Sequence, residues 1–328
     1  MQGDTFSSVR AHGTLWRMKE HITSPDGTPA SRFAFGTMQF GGKADETAAH
    51  AMFEACLAAG ITHFDTAHIY TDGASETILG RLAAPVRDRL VIATKVGHAS
   101  GASRATMLAQ FDASRRRLGM DRVEVLYLHR FDPDTPLEET METFAELRQR
   151  GQIGHVGLSN FAAWQVMKAA CIAERMGFAI SILQPMFNLV KRQAEVEILP
   201  MAQAEGMVAA CYSPLAGGLL TGKYARGEGG RITENRMYAA RYAGDHLHRA
   251  AADLATIARE VGTDPATLAV AWVARHPLGT VPIISASAPA QLGPSLAALD
   301  FDMDPALFDR LSALIPAPPP ATDRTEEI

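Results

Sequence analysis

Asp65, Tyr70, Lys95 and His129 are four side chains whose types together suit the delivery of a proton to a carbonyl oxygen. A tyrosine is a weak acid, with an ordinary pKa of about 10. An ammonium beside it favours the phenolate, and a carboxylate paired with that ammonium holds it in place. A neutral histidine nearby can donate to a carbonyl oxygen and orient it. The set fits general-acid assistance to a carbonyl that gains negative charge as hydride reaches its carbon. Further along, Ser159-Asn160, Gln184 and Tyr212-Ser213 contribute hydroxyl and amide groups. Any one of these alone reads as a satisfied structural polar group. Their recurrence at one kind of position is what needs an explanation.

That position is the end of an apolar run. Strands are expected at Phe33–Met38, Ile61–Ala67, Leu90–Val96, Val123–His129, Ile153–Ser159, Ile180–Gln184, Val208–Tyr212 and Val281–Ser285. Such runs suit strands buried on both faces of a parallel sheet. Helical periodicity alternates with them at Asp45–Ala59, Ala105–Leu118, Leu137–Arg150, Ala162–Met176 and Arg192–Ala204. Pro136, followed by two acids, marks a helix start near its first turn. The fold class is α/β, and this rhythm predicts a (β/α)8 TIM barrel over residues 31–315. A doubly wound sheet would normally carry a Gly-rich GxGxxG turn after its first strand, and none is present. In such a barrel the C-terminal strand ends form one face. Asp65, Lys95, His129, Ser159, Gln184 and Tyr212 all fall there, with Tyr70 in the loop just beyond.

Strand 7 is followed by a long loop and helical insertion before strand 8. Its polar start, "GEGGRITENRMYAARYAGD", is a candidate lid, and helices are expected at His248–Val261 and Pro265–His276. Residues 1–30 read as an N-terminal arm, poorly ordered in part, with Met18 as an alternative start. Residues 316–328 read as a Pro-rich tail.

The bulk properties narrow the partners. The chain has 328 residues, 47% hydrophobic and 20% charged, and a net charge of −5 from 31 basic and 36 acidic residues. No basic cluster marks a nucleic-acid or anionic-membrane footprint, and no apolar run reaches the roughly 20 residues needed to span a bilayer. Three scattered cysteines, Cys56, Cys171 and Cys211, indicate a reducing, cytoplasmic setting.

The segments "GTMQFGG", "FDTAHIYTDGASETILG", "VIATKV", "YLHRFDPDTPLEET", "HVGLSNFAAWQV", "MFNLVKRQAEVEILP" and "YSPLAGGLLTGKY" give the chain a further meaning. In that order they resemble the aldo-keto reductases, over residues 33 to 300. The motifs look most like the branch of the aflatoxin-aldehyde and succinic-semialdehyde reductases. The resemblance implies Tyr70 as general acid, Lys95 as its pKa-lowering neighbour, Asp65 as partner of Lys95, and His129 as the carbonyl-orienting group. It implies an NADP(H) cofactor across the barrel mouth and a small-molecule carbonyl substrate, and the branch's habit implies a homodimer. Ser159, Asn160 and Gln184 would hold the carboxamide and Tyr212 would stack on the nicotinamide. Ser213, Pro214, Leu215, Gly217, Leu219 and Lys223 would wrap the pyrophosphate, with Thr37 and Met38 also touching the cofactor.

Ser285, Ser287 and Gln291 stand where the family grips the adenosine 2′-phosphate and adenine, but no Arg or Lys lies between Arg275 and Arg310. A phosphate normally calls for one. NAD(H) is therefore the alternative cofactor, unless a lid arginine such as Arg231 reaches over. Arg231, Arg236 and Arg241 could instead anchor an anionic aldehyde, and Met38, Phe131, Phe161 and Phe187 could line an apolar pocket. Two other functions stay open: NAD-dependent oxidation of a sugar or polyol, and a cofactor-binding regulatory subunit like the potassium-channel β subunits. Those subunits carry a different residue at the strand-4 histidine. Gly217-x4-Gly222-Lys223 nearly matches a P-loop, but Tyr224 stands where Ser or Thr is required. His63, Asp65 and His68 do not make a metal site, since His68 lies beyond the strand end.

Overall fold

The structure, a computed structural model, describes residues 21–324 and 326, so most of the expected N-terminal arm, with Trp16 and Met18, lies outside the described residues. Eight parallel strands close into a barrel: β1 (Ala34–Gly36), β2 (His63–Asp65), β3 (Val91–Val96), β4 (Val123–Leu128), β5 (Ile153–Ser159), β6 (Ile180–Gln184), β7 (Val208–Cys211) and β8 (Thr280–Ile284). β1 and β8 join through Ala34 opposite Ile283. All eight expected strands are present. β1 and β2 are shorter than their apolar runs, yet beyond β2 the Thr66 and His68 N–H groups still donate to Ala93 O and Lys95 O, at 2.9 and 3.0 Å.

Strand alternation divides the apolar residues into two cores. One set, including Ala34, Val91, Ala93, Val125, Tyr127, Ile182, Ala210 and Ile283, fills the barrel. The other, including Phe35, Phe64, Ile92, Leu126, Leu158 and Leu183, packs with the surrounding helices. Tyr127 is the bulky member of the inner set, and it fits because β5 carries a glycine opposite. A Cβ on Gly157 would lie 2.3 Å from Tyr127 Cδ1.

The helices that follow β1 to β6 are α1 (Glu46–Ala58), α2 (Ala74–Ala83), α3 (Arg104–Leu118), α4 (Leu137–Gln149), α5 (Ala163–Arg175) and α6 (Ile198–Ala204). α1 and α3 start where Asp45 and Ser103 side chains cap the first turn. Pro136 is the N-cap of α4, one residue earlier than its expected N1 place. The expected Arg192–Ala204 helix breaks into a 3-10 turn at Gln193–Glu195 and the shorter α6. Pro200 lacks an N–H, so it is tolerated only near the start of a helix.

The insertion after β7 is more helical than its composition suggests. A Gly-rich 3-10 arc (Ala216–Thr221) leads to α7 (Arg231–Glu234) and α8 (Arg236–Arg241), then α9 (Asp245–Glu260) and α10 (Pro265–Ala274). After β8 come α11 (Gly293–Ala297) and α12 (Pro305–Ser312). Trp272 of α10 is fully buried and stacked on Phe308 of α12, with ring centroids 5.6 Å apart.

The barrel floor is closed by part of the expected N-terminal arm. Residues 22–30 form a small hairpin, with Ala30 N–H donating to Ile22 O at 2.8 Å, and Ile22 plugs the barrel interior. An apolar side chain buried there ties this segment to the barrel rather than to a loose arm. A cavity of about 310 Å3 beside it is lined by Thr23, Arg122, Glu124 and His155 among others. It lies at the end opposite the polar strand ends, so it takes no part in the chemistry argued below.

Candidate active site

Asp65 is the last residue of β2 and pairs in register with Ala93, two residues before Lys95 on β3. That stagger lets both side chains point into the barrel mouth. Lys95 Nζ lies 2.5 Å from Asp65 Oδ2, 2.7 Å from Thr66 O and 3.4 Å from the Tyr70 hydroxyl. An ammonium has three donors, and here each has an acceptor. Asp65 Oδ1 accepts from Gln184 Nε2 at 2.8 Å, which brings β6 into the same network. Both charged groups are buried. Burial opposes the Lys95 charge, but Asp65 and Tyr70 outweigh it and hold the ammonium above its ordinary pKa.

Tyr70 reaches this network because the chain turns sharply after it. Thr71 and Asp72 both adopt left-handed backbone, with φ of 47° and 54°, and Gly73 follows at 93°. The left-handed form costs a non-glycine residue roughly 1–2 kcal/mol. Hydrogen bonds offset that cost: Thr71 Oγ1 donates to Phe40 O at 2.7 Å and accepts from Ser75 N–H at 3.0 Å. The phenol itself departs from expectation. Burial pushes its pKa above the usual value, Lys95 offsets only part of that, and Asp65 adds to it. The free site thus keeps Tyr70 protonated, as a donor must be.

His129 follows β4, and its N–H donates to Val96 O at 2.7 Å. Burial, then Lys95, His98 and Arg130, push its pKa down to about 2, so the ring is neutral. Its Nδ1 is buried with no hydrogen-bond partner among the described residues. A proton on Nδ1 would be an N–H buried without an acceptor, which favours the tautomer with the proton on Nε2. The ring meets Tyr70 edge-on, with centroids 6.0 Å apart.

β5, β6 and β7 supply a second cluster. Ser159 Oγ donates to Gln184 O at 3.0 Å, and Asn160 Nδ2 donates to His129 O at 2.9 Å. Tyr212 OH donates to Asn160 Oδ1 at 2.7 Å. Asn160 and Ser213 both have left-handed backbone, with φ of 59° and 60°. Pro214 and Leu215 lead into the arc, where Ala216, Gly217, Gly218 and Gly222 are left-handed too. Such turned amides can line an anion-binding concavity.

The lid closes on this arc. A Cβ on Gly217 would sit 2.8 Å from Tyr238 Cδ1, so the α8 aromatic packs directly on the glycine. Tyr224, the residue that spoils the P-loop pattern, ties arc to lid: it donates to Gly217 O at 2.9 Å and accepts from Ile232 N–H at 3.1 Å. Lys43 pairs with Glu234. Arg231 and Arg241 lie over the Tyr238 ring, at 5.6 and 5.1 Å. Lys223 Nζ lies over the Tyr224 ring at 5.0 Å. Leu219, within the arc, is buried.

The remaining expected residues are placed less directly. Thr37 is fully buried, its hydroxyl shared with Ser75 Oγ (2.8 Å) and Asp65 O (3.2 Å), while Met38 is half-buried. Ser285 Oγ is buried without a partner. Ser287 is half-buried and bonds to the exposed Gln291 at 2.8 Å. Phe131 and Phe161 stand edge-on at 5.5 Å, whereas Phe187 packs against Trp272 in the outer core. His68 Nδ1 is 3.2 Å from Arg117 Nη1. Among the described residues no group of three or more His, Cys, Asp or Glu could hold a metal ion.

Sequence reasoning missed two residues of the site. His98 lies three residues past Lys95, with its ring 4.8 Å from that of His129. Its signal was present: a titratable residue just beyond a strand that already ends in a candidate. Tyr238 gave no such signal, because a lid aromatic has no strand end to mark it. The nicotinamide end of a dinucleotide fits the amides and hydroxyls gathered from β5 to β7, and the turned arc fits its phosphates.

Residues 32–316 match the sequence model of the Aldo/keto reductase family. The chain is 32% identical to the uncharacterized oxidoreductase YrpG of Bacillus subtilis (strain 168), spanning 89% of this chain and 94% of that protein. It is 33% identical to a probable voltage-gated potassium channel subunit beta of Oryza sativa subsp. japonica, over 90% of this chain and 96% of the relative. It is 39% identical to aflatoxin B1 aldehyde reductase member 2 of Homo sapiens, over 60% and 56% respectively.

Proposed function

The chain belongs to the aldo/keto reductase family and is an oxidoreductase, and we propose that it reduces an aldehyde or ketone to the alcohol with Tyr70 as proton donor. A nicotinamide dinucleotide held at the barrel mouth would supply the hydride. The observation that carries the reading is the Lys95–Asp65 pair, buried at the barrel mouth with its third donor on the Tyr70 hydroxyl. Burying an ion pair is seldom a route to stability, so its place beside an acid speaks for chemistry.

His129 orients the carbonyl oxygen through Nε2–H. Tyr70 hands that oxygen its proton, and Lys95 stabilises the phenolate left behind. Asp65 keeps the ammonium fixed and charged. Ser159, Asn160 and Gln184 would hold the carboxamide, Tyr212 would cover the nicotinamide ring, and the Ser213–Lys223 arc would cradle the pyrophosphate. We assign NADP(H) as the cofactor, with NAD(H) as the alternative because no Arg or Lys lies between β8 and Arg310. The neutral His129 beside the ion pair supports catalysis over a purely regulatory role.

Tryptophan fluorescence titration with NADPH and NADH in parallel tests the reading. Trp164 is 63% exposed near Asn160, while Trp272 is buried in the outer core. Saturable quenching by either cofactor, followed by aldehyde-dependent oxidation of that cofactor, is the expected result. Folded protein that binds neither overturns the oxidoreductase chemistry proposed here.

A further inference from the structure

A histidine that must present one nitrogen to a substrate is usually fixed by a hydrogen bond at the other. His129 has no such bond among the described residues, since its Nδ1 is buried and unpartnered there. Its orientation must therefore come from packing. Two rings supply it: Tyr70, with centroids 6.0 Å away and planes at 83°, and His98, closer at 4.8 Å and 67°.

The turn that delivers His98 is built for the purpose. β3 ends at Val96, and Gly97 follows with φ of 72°. A Cβ on Gly97 would lie 2.5 Å from Leu128 Cδ1 on β4, so a side chain there would push the turn off the barrel. The Gly97 N–H donates to Gln110 Oε1 on α3 at 2.8 Å, which anchors the turn from behind. His98 itself is half-buried, and neither of its ring nitrogens makes a hydrogen bond among the described residues. Burial and the nearby Arg130 hold its pKa below the usual value. Two imidazoles can then stand side by side near neutral pH without mutual repulsion.

We propose that His98 is a positioning residue for His129: its ring is the wall that keeps the His129 imidazole turned with Nε2 toward the barrel mouth. The proposal rests on the carbonyl-orienting role of His129 argued above. Without the wall, the ring is free to rotate about its Cβ–Cγ bond, and the donor leaves the carbonyl.

The test uses the full chain with its cofactor and compares His98→Ala, His98→Phe and His129→Phe. In His98→Ala, kcat for a small aldehyde should fall on the order of tenfold, with cofactor affinity by fluorescence unchanged. His98→Phe keeps an aromatic wall without ring nitrogens and should recover kcat to within about twofold of the parent. A second readout does not depend on turnover. The 15N shifts of the His129 ring should report one Nε2-protonated tautomer in the parent and in His98→Phe, and averaged values in His98→Ala.

Parental kcat in His98→Ala, with His129→Phe inactive, overturns the wall and leaves the reduction chemistry standing. His98→Phe as impaired as His98→Ala also overturns it, because the effect would then lie in the nitrogens. Parental turnover in His129→Phe removes the role of His129, and the wall with it.

Discussion

Lys95 Nζ touches Asp65 Oδ2 and the Tyr70 hydroxyl at once, at 2.5 and 3.4 Å, so a single ammonium couples a buried carboxylate to a half-buried phenol. In the proposed reaction the phenol keeps its proton until charge develops on the substrate oxygen. Tyr70→Phe should therefore lower kcat by about 10²–10⁴-fold, the usual contribution of a positioned acid. Cofactor affinity should stay within about twofold of the parent, since the phenol oxygen is the only atom lost. Steady-state turnover and fluorescence titration check the two halves separately.

Removing one partner of the pair should cost more than removing both. Lys95→Met leaves Asp65 buried and uncompensated, for a loss of about 3–5 kcal/mol. Adding Asp65→Asn removes that charge while keeping an amide oxygen to accept from Gln184 Nε2. The double variant should regain most of the stability in urea unfolding and none of the turnover. Equal stability of the single and double variants would mean that the pair is solvated in solution.

Much of this site was legible because a parallel barrel turns a one-dimensional pattern into a ring. Each apolar run ends at the same face, so the residues Asp65, Lys95, His129, Ser159 and Gln184 meet although up to 119 residues separate them. Family motifs then supplied roles that spacing alone leaves open. Three features were not legible. The sign of the Tyr70 shift depends on the depth of burial, which sequence does not give, and there burial overrides Lys95. The contact between His98 and His129 depends on how tightly Gly97 turns. The lid looked like polar loop because α7 and α8 are too short for periodicity to show, and their stability comes from Tyr224 and Tyr238 packing on the arc.

His63 gives the fold an acid-sensitive element inside the barrel. Burial, opposed by Asp65 and aided by Lys95, pushes its pKa down to about 4, and its Nε2 has no partner. The unfolded chain binds a proton there near the ordinary value of about 6.5. Between those values the unfolded state carries more protons, so stability is full above about pH 6.5 and falls as pH drops toward 4. One such group contributes on the order of 3 kcal/mol across the window. His129 acts in the same direction. His63→Leu should remove about one proton's worth of the slope, measured as unfolding free energy at several pH values from 7.5 to 4.5. An unchanged slope would show that His63 is hydrated in the native barrel.

Beyond β8, Ser287 donates its hydroxyl to Gln291 and meets no cation among the described residues, so the position is one where a single charge can be added without breaking a buried contact. If the adenosine end of the cofactor lies there, as the reading of Ser285, Ser287 and Gln291 requires, Ser287→Arg should favour NADPH selectively. A charge-assisted hydrogen bond contributes about 1.5–3 kcal/mol, which is on the order of tenfold to a hundredfold in affinity. NADH affinity should barely move, because it lacks the 2′-phosphate. The gain should also shrink as ionic strength rises, since an exposed ion pair is screened within about 8–10 Å at physiological salt. Titrating parent and variant with both cofactors at low and high salt measures all three effects. Equal gains for NADPH and NADH would place the new arginine on the pyrophosphate instead, and no gain for either would move the adenosine end away from β8 toward the lid, where Arg231 becomes the residue to change.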